Sequence, residues 1–433
     1  MHPVKQPRDI AIVGAGLTGV ACAIAISREL GPSVSGLSIQ VYERNDFPCT
    51  SGVMEELEKM GTYSGADIGS VEIFPEKSTC PIGSVDFTGR TGNGYSGYKG
   101  RRVMRVVLLT AMISVAERAN VKFAYGKKVI GGDEVEEKAI IHFEDGSLSS
   151  ADLVLGCDGV HSATRMKWVD PHRSSEYSGF SSLQAVVDIN KISSPLPFDS
   201  AIHLSRQGFL LTTHCDRDRE HIFAAATVQF EEEEIEYCRL KQGVDLSTRN
   251  RIQSNLRRCL ETRFRKCVAP CVNEIVHGDH DWILYPVHQV RPGGRWCLNR
   301  VALLGDAAHA MPPMYSSASY ALDDAVLFSR LLARYGSDSL NTVFGTYDQL
   351  RRAAVNRAFE ESTIVWNQMK DRGPLQERVK EWRMSSYLRH NQVKYEDRWR
   401  ADATKTPIPT PEASEPLVSL QSFLREFSEQ RSK

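Results

Sequence analysis

The chain has 433 residues, of which 41% are hydrophobic, enough to bury a large core in two intimately packed domains plus a tail. Its 53 Lys and Arg against 54 Asp and Glu leave a formal net charge of -1, which gives no basis for binding nucleic acid or an anionic surface. No apolar stretch approaches the ~20 residues that span a bilayer, and the polar start Met1–Asp9 is no signal peptide, so a cytoplasmic enzyme without an integral membrane segment is expected. The ten cysteines follow no regular framework, and several fall inside predicted strands or helices, which points to reduced thiols.

In chain order, the first predicted element is a short apolar strand, Ile10–Val13. It runs into Gly14-Ala15-Gly16-Leu17-Thr18-Gly19 and then a helical stretch, Val20–Leu30. This is G-x-G-x-x-G in the context that gives it meaning. Gly14 permits the tight turn, Gly16 lets a pyrophosphate approach the backbone, and Gly19 allows close helix–strand packing. A second strand, Leu37–Tyr42, ends at Glu43, whose carboxylate is placed to accept hydrogen bonds from ribose hydroxyls. The connection is slightly long, and the loop Gly31–Gly36 absorbs the excess. A helical run over Val53–Met60 follows, and then Val103–Leu109, where Arg105 opens a leucine-rich helix.

The next strand is read as Ala151–Gly156, leading through Cys157-Asp158-Gly159 to Ser162 and Arg165. Asp-Gly serves a plain turn as readily as a binding site. The middle of the chain holds strand-like runs at Gln184–Ile189, His221–Gln229 and Trp282–Val290, with a charged helical segment, Glu231–Lys266, between them. The run Glu231–Glu234 reads as a solvated face. Cys267 and Cys271 lack a paired Cys/His set at ligand spacing, so no metal is expected.

Arg300–Pro313 is the most informative stretch. Val301–Leu304 has the composition of a buried strand, Gly305 turns the chain, and Asp306 is presented where a carboxylate can hold a sugar hydroxyl. Standing alone, this segment reads equally well as an ordinary strand-to-helix turn. Helical spacing returns at residues 320–334 and 339–370. Residues 401–416, rich in proline, read as an extended linker before a short amphipathic helix, Leu417–Phe427.

Taken together, these pieces resemble the flavoprotein monooxygenases of the para-hydroxybenzoate hydroxylase and salicylate hydroxylase type, over roughly residues 8–370. The resemblance implies an α/β fold. A Rossmann-like FAD-binding domain is built from discontinuous segments (1–175 and 285–370), with an inserted, mostly antiparallel substrate-binding sheet (176–284) and a C-terminal helical extension (371–433). It also implies FAD held by Gly14, Gly16, Gly19, Glu43, Arg105, Asp158 and Asp306, and by Ser317 and Ala318 at the start of the helix after the Pro-Pro stop. The implied reaction uses NAD(P)H as co-substrate and molecular oxygen, and transfers one oxygen atom from a flavin hydroperoxide to a small aromatic, polyketide-like or terpenoid-like substrate by hydroxylation or epoxidation. A place in secondary metabolism goes with that implication.

The cofactor performs the difficult step in such an enzyme, so no protein triad is required. Polar candidates on or beside the middle strands are His203, His214, Tyr285 and His288, and His309 follows Asp306. Three departures from the family pattern stand out. The turn after Pro313 has lost its usual glycines (Met314–Ser319), the glycine-rich strand after Glu43 is shortened or missing, and Gln184 stands where relatives often carry an arginine. The altered flavin contacts keep a second reading open, a non-redox cyclase or isomerase that uses the same cavity.

Overall fold

The computed structural model describes residues 6–47, 65–89, 94, 100–238, 245–313, 317–368, 370, 379, 381–386, 388 and 402–409. The run Val53–Met60, the turn Met314–Ser316 and the helix Leu417–Phe427 lie outside the described residues. The chain opens with β1 (Asp9–Val13), α1 (Leu17–Leu30) and β2 (Ser38–Tyr42). Short strands β3 (Ala66–Asp67), β4 (Ser70–Phe74), β5 (Gly83–Asp86) and β6 (Arg101–Arg102) precede α2 (Arg105–Arg118) and β7 (Lys122–Ala124). Then come β8 (Val129–Val135), β9 (Lys138–Phe143), β10 (Leu148–Ala151) and β11 (Leu153–Gly156). The middle segment carries β12 (Glu176–Asp188), β13 (Ser200–Ser205), β14 (Gly208–His214), β15 (His221–Gln229), α3 (Glu232–Cys238), α4 (Leu246–Phe264), α5 (Pro270–His277) and β16 (Ile283–Gln289). Last are β17 (Cys297–Leu298), β18 (Val301–Leu303), α6 (Asp306–His309), α7 (Ser317–Tyr335) and α8 (Leu340–Gln368).

Six strands form one sheet in the order β17-β18-β11-β1-β2-β7, parallel except for β17. Strands β11 and β18 are buried along their whole length, and β1 is buried after its first residue, as expected of a parallel sheet covered on both faces. Helices α1, α2 and α7 and the antiparallel meander β8–β10 share one apolar core with it. The stretch read from sequence as one strand, Ala151–Gly156, is two strands. Asp152 breaks it, because its carboxylate accepts the Arg8 and Asp9 N–H groups at 2.8 and 2.9 Å and so pins β11 against β1.

The second large sheet has seven strands in the order β16-β12-β15-β14-β13-β4-β5, antiparallel at every pairing except β13 with β4. Strands β4 and β5 come from the segment before Arg105. The chain therefore contributes to this sheet before its FAD-type portion is complete, and β16 straddles the boundary placed at residue 285. One face of the sheet is covered by α4 and α5. Helix α4 is capped by Asp245, which accepts the Thr248 N–H at 2.9 Å, and it presents Ile252, Leu256, Leu260 and Phe264 to Leu183, Ala224 and Leu210. The opposite face packs on Trp366 of α8 and on Met384 and Leu388 of the C-terminal extension. Because side chains alternate along a strand, these two coverings assign every residue of the sheet to one face.

Candidate active site

Register brings the sequence motifs together. Tyr42, Val13, Gly156 and Leu303 lie side by side across four parallel strands, and the residues that follow each of them emerge at the same carboxyl edge of the sheet. Glu43, Gly14, Asp158 and Asp306 are thus neighbours at the crevice where open α/β sheets bind ligands. Direct contacts agree. A Cβ on Gly14, whose φ is +103°, would lie 2.6 Å from the Cys157 carbonyl oxygen, and one on Gly305 (φ +59°) would lie 2.5 Å from Thr18 Oγ1.

The glycine loop fits a dinucleotide. A Cβ on Gly19 would stand 1.9 Å from the Gly14 carbonyl oxygen, so this glycine lets α1 sit against β1. Gly16 is different. Among the described residues, a Cβ there would meet the Arg105 guanidinium at 3.7 Å, an ordinary contact distance, so bare backbone faces a cation with room for a methyl group between them. Gly16 caps α1 and carries no side chain to bond the helix's first amides, so N–H groups and helix dipole both face the same space. Glu43 is 9% exposed, and its Oε2 accepts the Ala15 N–H at 2.9 Å while Oε1 accepts from Asn45. Those bonds aim the carboxylate and leave one lone pair, on Oε2, for a sugar hydroxyl.

Asp158 is committed within the chain. Oδ1 accepts Ser162 Oγ at 2.5 Å, and Oδ2 accepts the N–H and hydroxyl of Thr164 at 2.9 and 3.1 Å. Burial still pushes its carboxyl up from the usual range. The aspartate therefore shapes the turn that follows β11. That turn presents Arg165, fully buried, whose guanidinium donates to the carbonyls of Val160, Arg173 and Ala307 and so ties the second motif to the third. Arg165 was noted in the sequence only as the end of a motif. Asp306, by contrast, is exposed at the first position of α6, in a segment otherwise buried from Val301 to Pro312.

Behind Asp306 lies a buried ionic network. His309 Nε2 is 2.6 Å from Asp324 Oδ2, which also accepts the Gly305 N–H at 3.0 Å, and Arg351 Nε donates to Asp324 Oδ1 at 2.7 Å. Burial raises the Asp324 carboxyl, but His309 and Arg351 beside it outweigh that and hold it at about 2. This network fixes the turn that carries Asp306 and joins it to α7 and α8. Ser317 and Ala318 open α7, with Ala318 exposed.

The substrate-side candidates divide by face. His203 and His214 lie on the helix-covered face and do not reach the cavity side. His203 stacks on Phe74 and Phe198, its Nε2 is 3.1 Å from Thr212 Oγ1, and burial lowers its pKa to about 4. Tyr285 and Gln184 lie on the other face, with Val287 and Phe180. His288 packs edge-on against His161 at 4.6 Å, beside the second motif. This second face looks toward the third motif: Trp366, which packs on Phe180 at 5.1 Å, donates its Nε1–H to the Pro313 carbonyl at 2.9 Å. Among the described residues, one cluster of metal-ligating type occurs, Asp216, Glu220 and His221 in the β14–β15 hairpin. The Asp216 oxygens there accept two backbone N–H groups and face His221 Nδ1, an arrangement that holds the hairpin. No described helix is long and apolar enough to cross a membrane.

The family of FAD binding domains matches residues 102–362, which includes Arg105, Asp158 and Asp306; the glycine loop lies outside that span. The chain is 23% identical over 386 residues to 6-hydroxynicotinate 3-monooxygenase of Bordetella bronchiseptica, covering 81% of this chain and 89% of that protein. It is 26% identical over 380 residues to salicylate hydroxylase of Pseudomonas putida, covering 81% and 83%. Among solved structures, Klebsiella pneumoniae HpxO complexed with FAD and uric acid superimposes with a TM-score of 0.72 at 20% identity, covering 92% of this chain and 98% of that one. The two-sheet architecture is thus the one these flavoproteins share, and the chain belongs to the FAD-binding domain family, among the group A flavin monooxygenases.

Proposed function

We propose that this protein is an NAD(P)H-dependent FAD monooxygenase that hydroxylates a small organic molecule held between the flavin and the face of the seven-stranded sheet opposite α4 and α5. The observation that carries the reading is the convergence of Gly16, Arg105, Glu43 and Asp306 at one sheet edge. The first amides of α1 and the Arg105 guanidinium suit a pyrophosphate, Glu43 a ribose, and Asp306 the ribityl hydroxyls. FAD, when bound and reduced by a nicotinamide donor, supplies the oxygen-activating chemistry. The chain's own contribution is to orient substrate and exclude water. The apolar sheet face, Trp366 and Met384 serve that second purpose.

The test is direct. Purified protein is expected to be yellow, to oxidise NADPH, and to consume oxygen faster when its substrate is supplied, with one oxygen atom appearing in the product. Product formed anaerobically without NADPH overturns this reading and identifies the cyclase or isomerase alternative, which the glycine-free sequence after Pro313 favours. A place in specialised metabolism belongs to the same proposal, and comparing metabolites with and without the gene tests it.

A further inference from the structure

The face of the seven-stranded sheet opposite α4 and α5 can be read row by row from the strand register. One row across it is Tyr285, Ser182, Thr227, Phe209 and Leu204; the next is Ile283, Gln184, Ala225, Leu211 and Ile202. Along β12, residues 182, 184 and 186 are half-buried while 181, 183, 185 and 187 are buried under the helices; within the two rows Tyr285, Ser182, Ile283, Gln184, Phe209 and Leu211 are half-buried, whereas Thr227, Ala225, Ile202 and Leu204 are buried. Hydrogen-bonding side chains gather on β16, β12 and β15, and the wall turns apolar toward β14 and β13. Neither row contains a lysine, arginine or histidine. Gln184 Nε2 donates to Ser182 Oγ at 3.2 Å, an arrangement that orients the amide and leaves its other N–H and its carbonyl oxygen for a ligand.

Resting on the monooxygenase reading, we infer that this wall selects an uncharged, mostly apolar substrate whose polar end is an amide-like or phenolic group read by Gln184, and that it discriminates against carboxylates. A carboxylate brought against these rows leaves water without meeting a cation, and the desolvation cost goes uncompensated. A neutral amide loses little, because the glutamine side chain presents both a donor and an acceptor. The relatives named for 6-hydroxynicotinate and salicylate act on carboxylate-bearing molecules.

The experiment uses calorimetric titration of the purified full-length protein with naphthamide and naphthoate, near-isosteric probes that differ in charge at neutral pH. Wild type is expected to bind naphthamide about tenfold or more tightly than naphthoate, the discrimination that a site built for a neutral hydrogen-bonding group provides. Gln184→Arg should reverse the order, because a guanidinium pairs bidentately with a carboxylate. Gln184→Glu should weaken naphthoate further and retain the amide. Equal or tighter naphthoate binding by wild type, an unchanged preference in Gln184→Arg, or binding of neither probe overturns the inference. The comparison needs no turnover. Failure of the monooxygenase reading shows instead as colourless protein or as NADPH left unoxidised.

Discussion

Asp324 holds His309 Nε2 at 2.6 Å with one carboxylate oxygen and Arg351 Nε at 2.7 Å with the other, and no part of its side chain reaches solvent. Replacing it with asparagine leaves the buried guanidinium with only the more distant Asp323, 3.9 Å away, as an anion, a loss of about 3 kcal/mol. Asp324→Asn should therefore melt far below wild type and lose flavin as the Asp306 turn loosens. The pH dependence follows from the same bonds. The folded carboxyl sits at about 2, against roughly 3.9 in the unfolded chain. Its contribution is complete above the unfolded value and disappears as pH falls through the folded one. Acid melts of wild type should show that loss, and melts of Asp324→Asn should not; equal stability of the two proteins at neutral pH would refute this role.

Two glycines three residues apart should respond differently to one methyl group. At Gly19 an added Cβ meets the Gly14 carbonyl oxygen at 1.9 Å, and α1 can only accommodate it by moving off β1. At Gly16 the described residues offer no steric objection nearer than the Arg105 guanidinium at 3.7 Å. Gly19→Ala is thus expected to destabilise the apoprotein by about 4 kcal/mol or more. Gly16→Ala should melt like apo wild type and yet fail to retain FAD, because the methyl group occupies the phosphate's approach. Thermal melts and flavin absorbance on the same samples separate the two, and a yellow Gly16→Ala protein would sink the pyrophosphate assignment.

Much of the sheet edge that carries the glycine loop and Asp306 was legible because its backbone demands unusual residues. Positive φ at Gly14 and Gly305 and close backbone approach at Gly19 admit little but glycine, and glycine is visible in sequence. The ionic network was not legible, since Asp324 and Arg351 stand far from Asp306 along the chain and meet only through helix packing. Nor was the membership of β4 in the second sheet, where Ile73 pairs in parallel with Ile202 across a long connection. His203 and His214 looked like cavity residues because a strand pattern tells which residues share a face, not which face a later helix will cover. Here α4 and α5, downstream of both histidines, decide the matter.

His203 illustrates the consequence. Burial between Phe74 and Phe198 lowers its pKa to about 4, whereas an unfolded histidine titrates near about 6.5. Between those values the unfolded chain binds the extra proton, so stability falls as pH drops through this window. His203→Gln retains a partner for Thr212 Oγ1 and cannot titrate. It should flatten the decline in melting temperature across that window and leave substrate-stimulated NADPH oxidation near the wild-type rate. Loss of coupled turnover in this variant, with flavin content intact, would return His203 to the catalytic candidates.

Asp306 offers the sharpest separation between folding and cofactor binding. Its side chain is exposed, so Asp306→Ala removes no buried contact and should leave the apoprotein's melting temperature within the range of an ordinary surface change, about 0.5 kcal/mol. If the carboxylate accepts from ribityl hydroxyls, removing it forfeits hydrogen bonds to a charged acceptor worth about 1.5–3 kcal/mol, or about tenfold to a hundredfold in the dissociation constant for FAD. Asp306→Asn keeps an acceptor without the charge and should fall between the two. Ultrafiltration of each variant at graded FAD concentrations gives the constants. Arg105→Ala supplies the contrast: its loss should also weaken FAD, and it should reduce the salt sensitivity of binding, because that contact is a charge pair with phosphate. An Asp306→Ala protein that keeps wild-type affinity would place the ribityl chain elsewhere, even with the glycine loop correctly read.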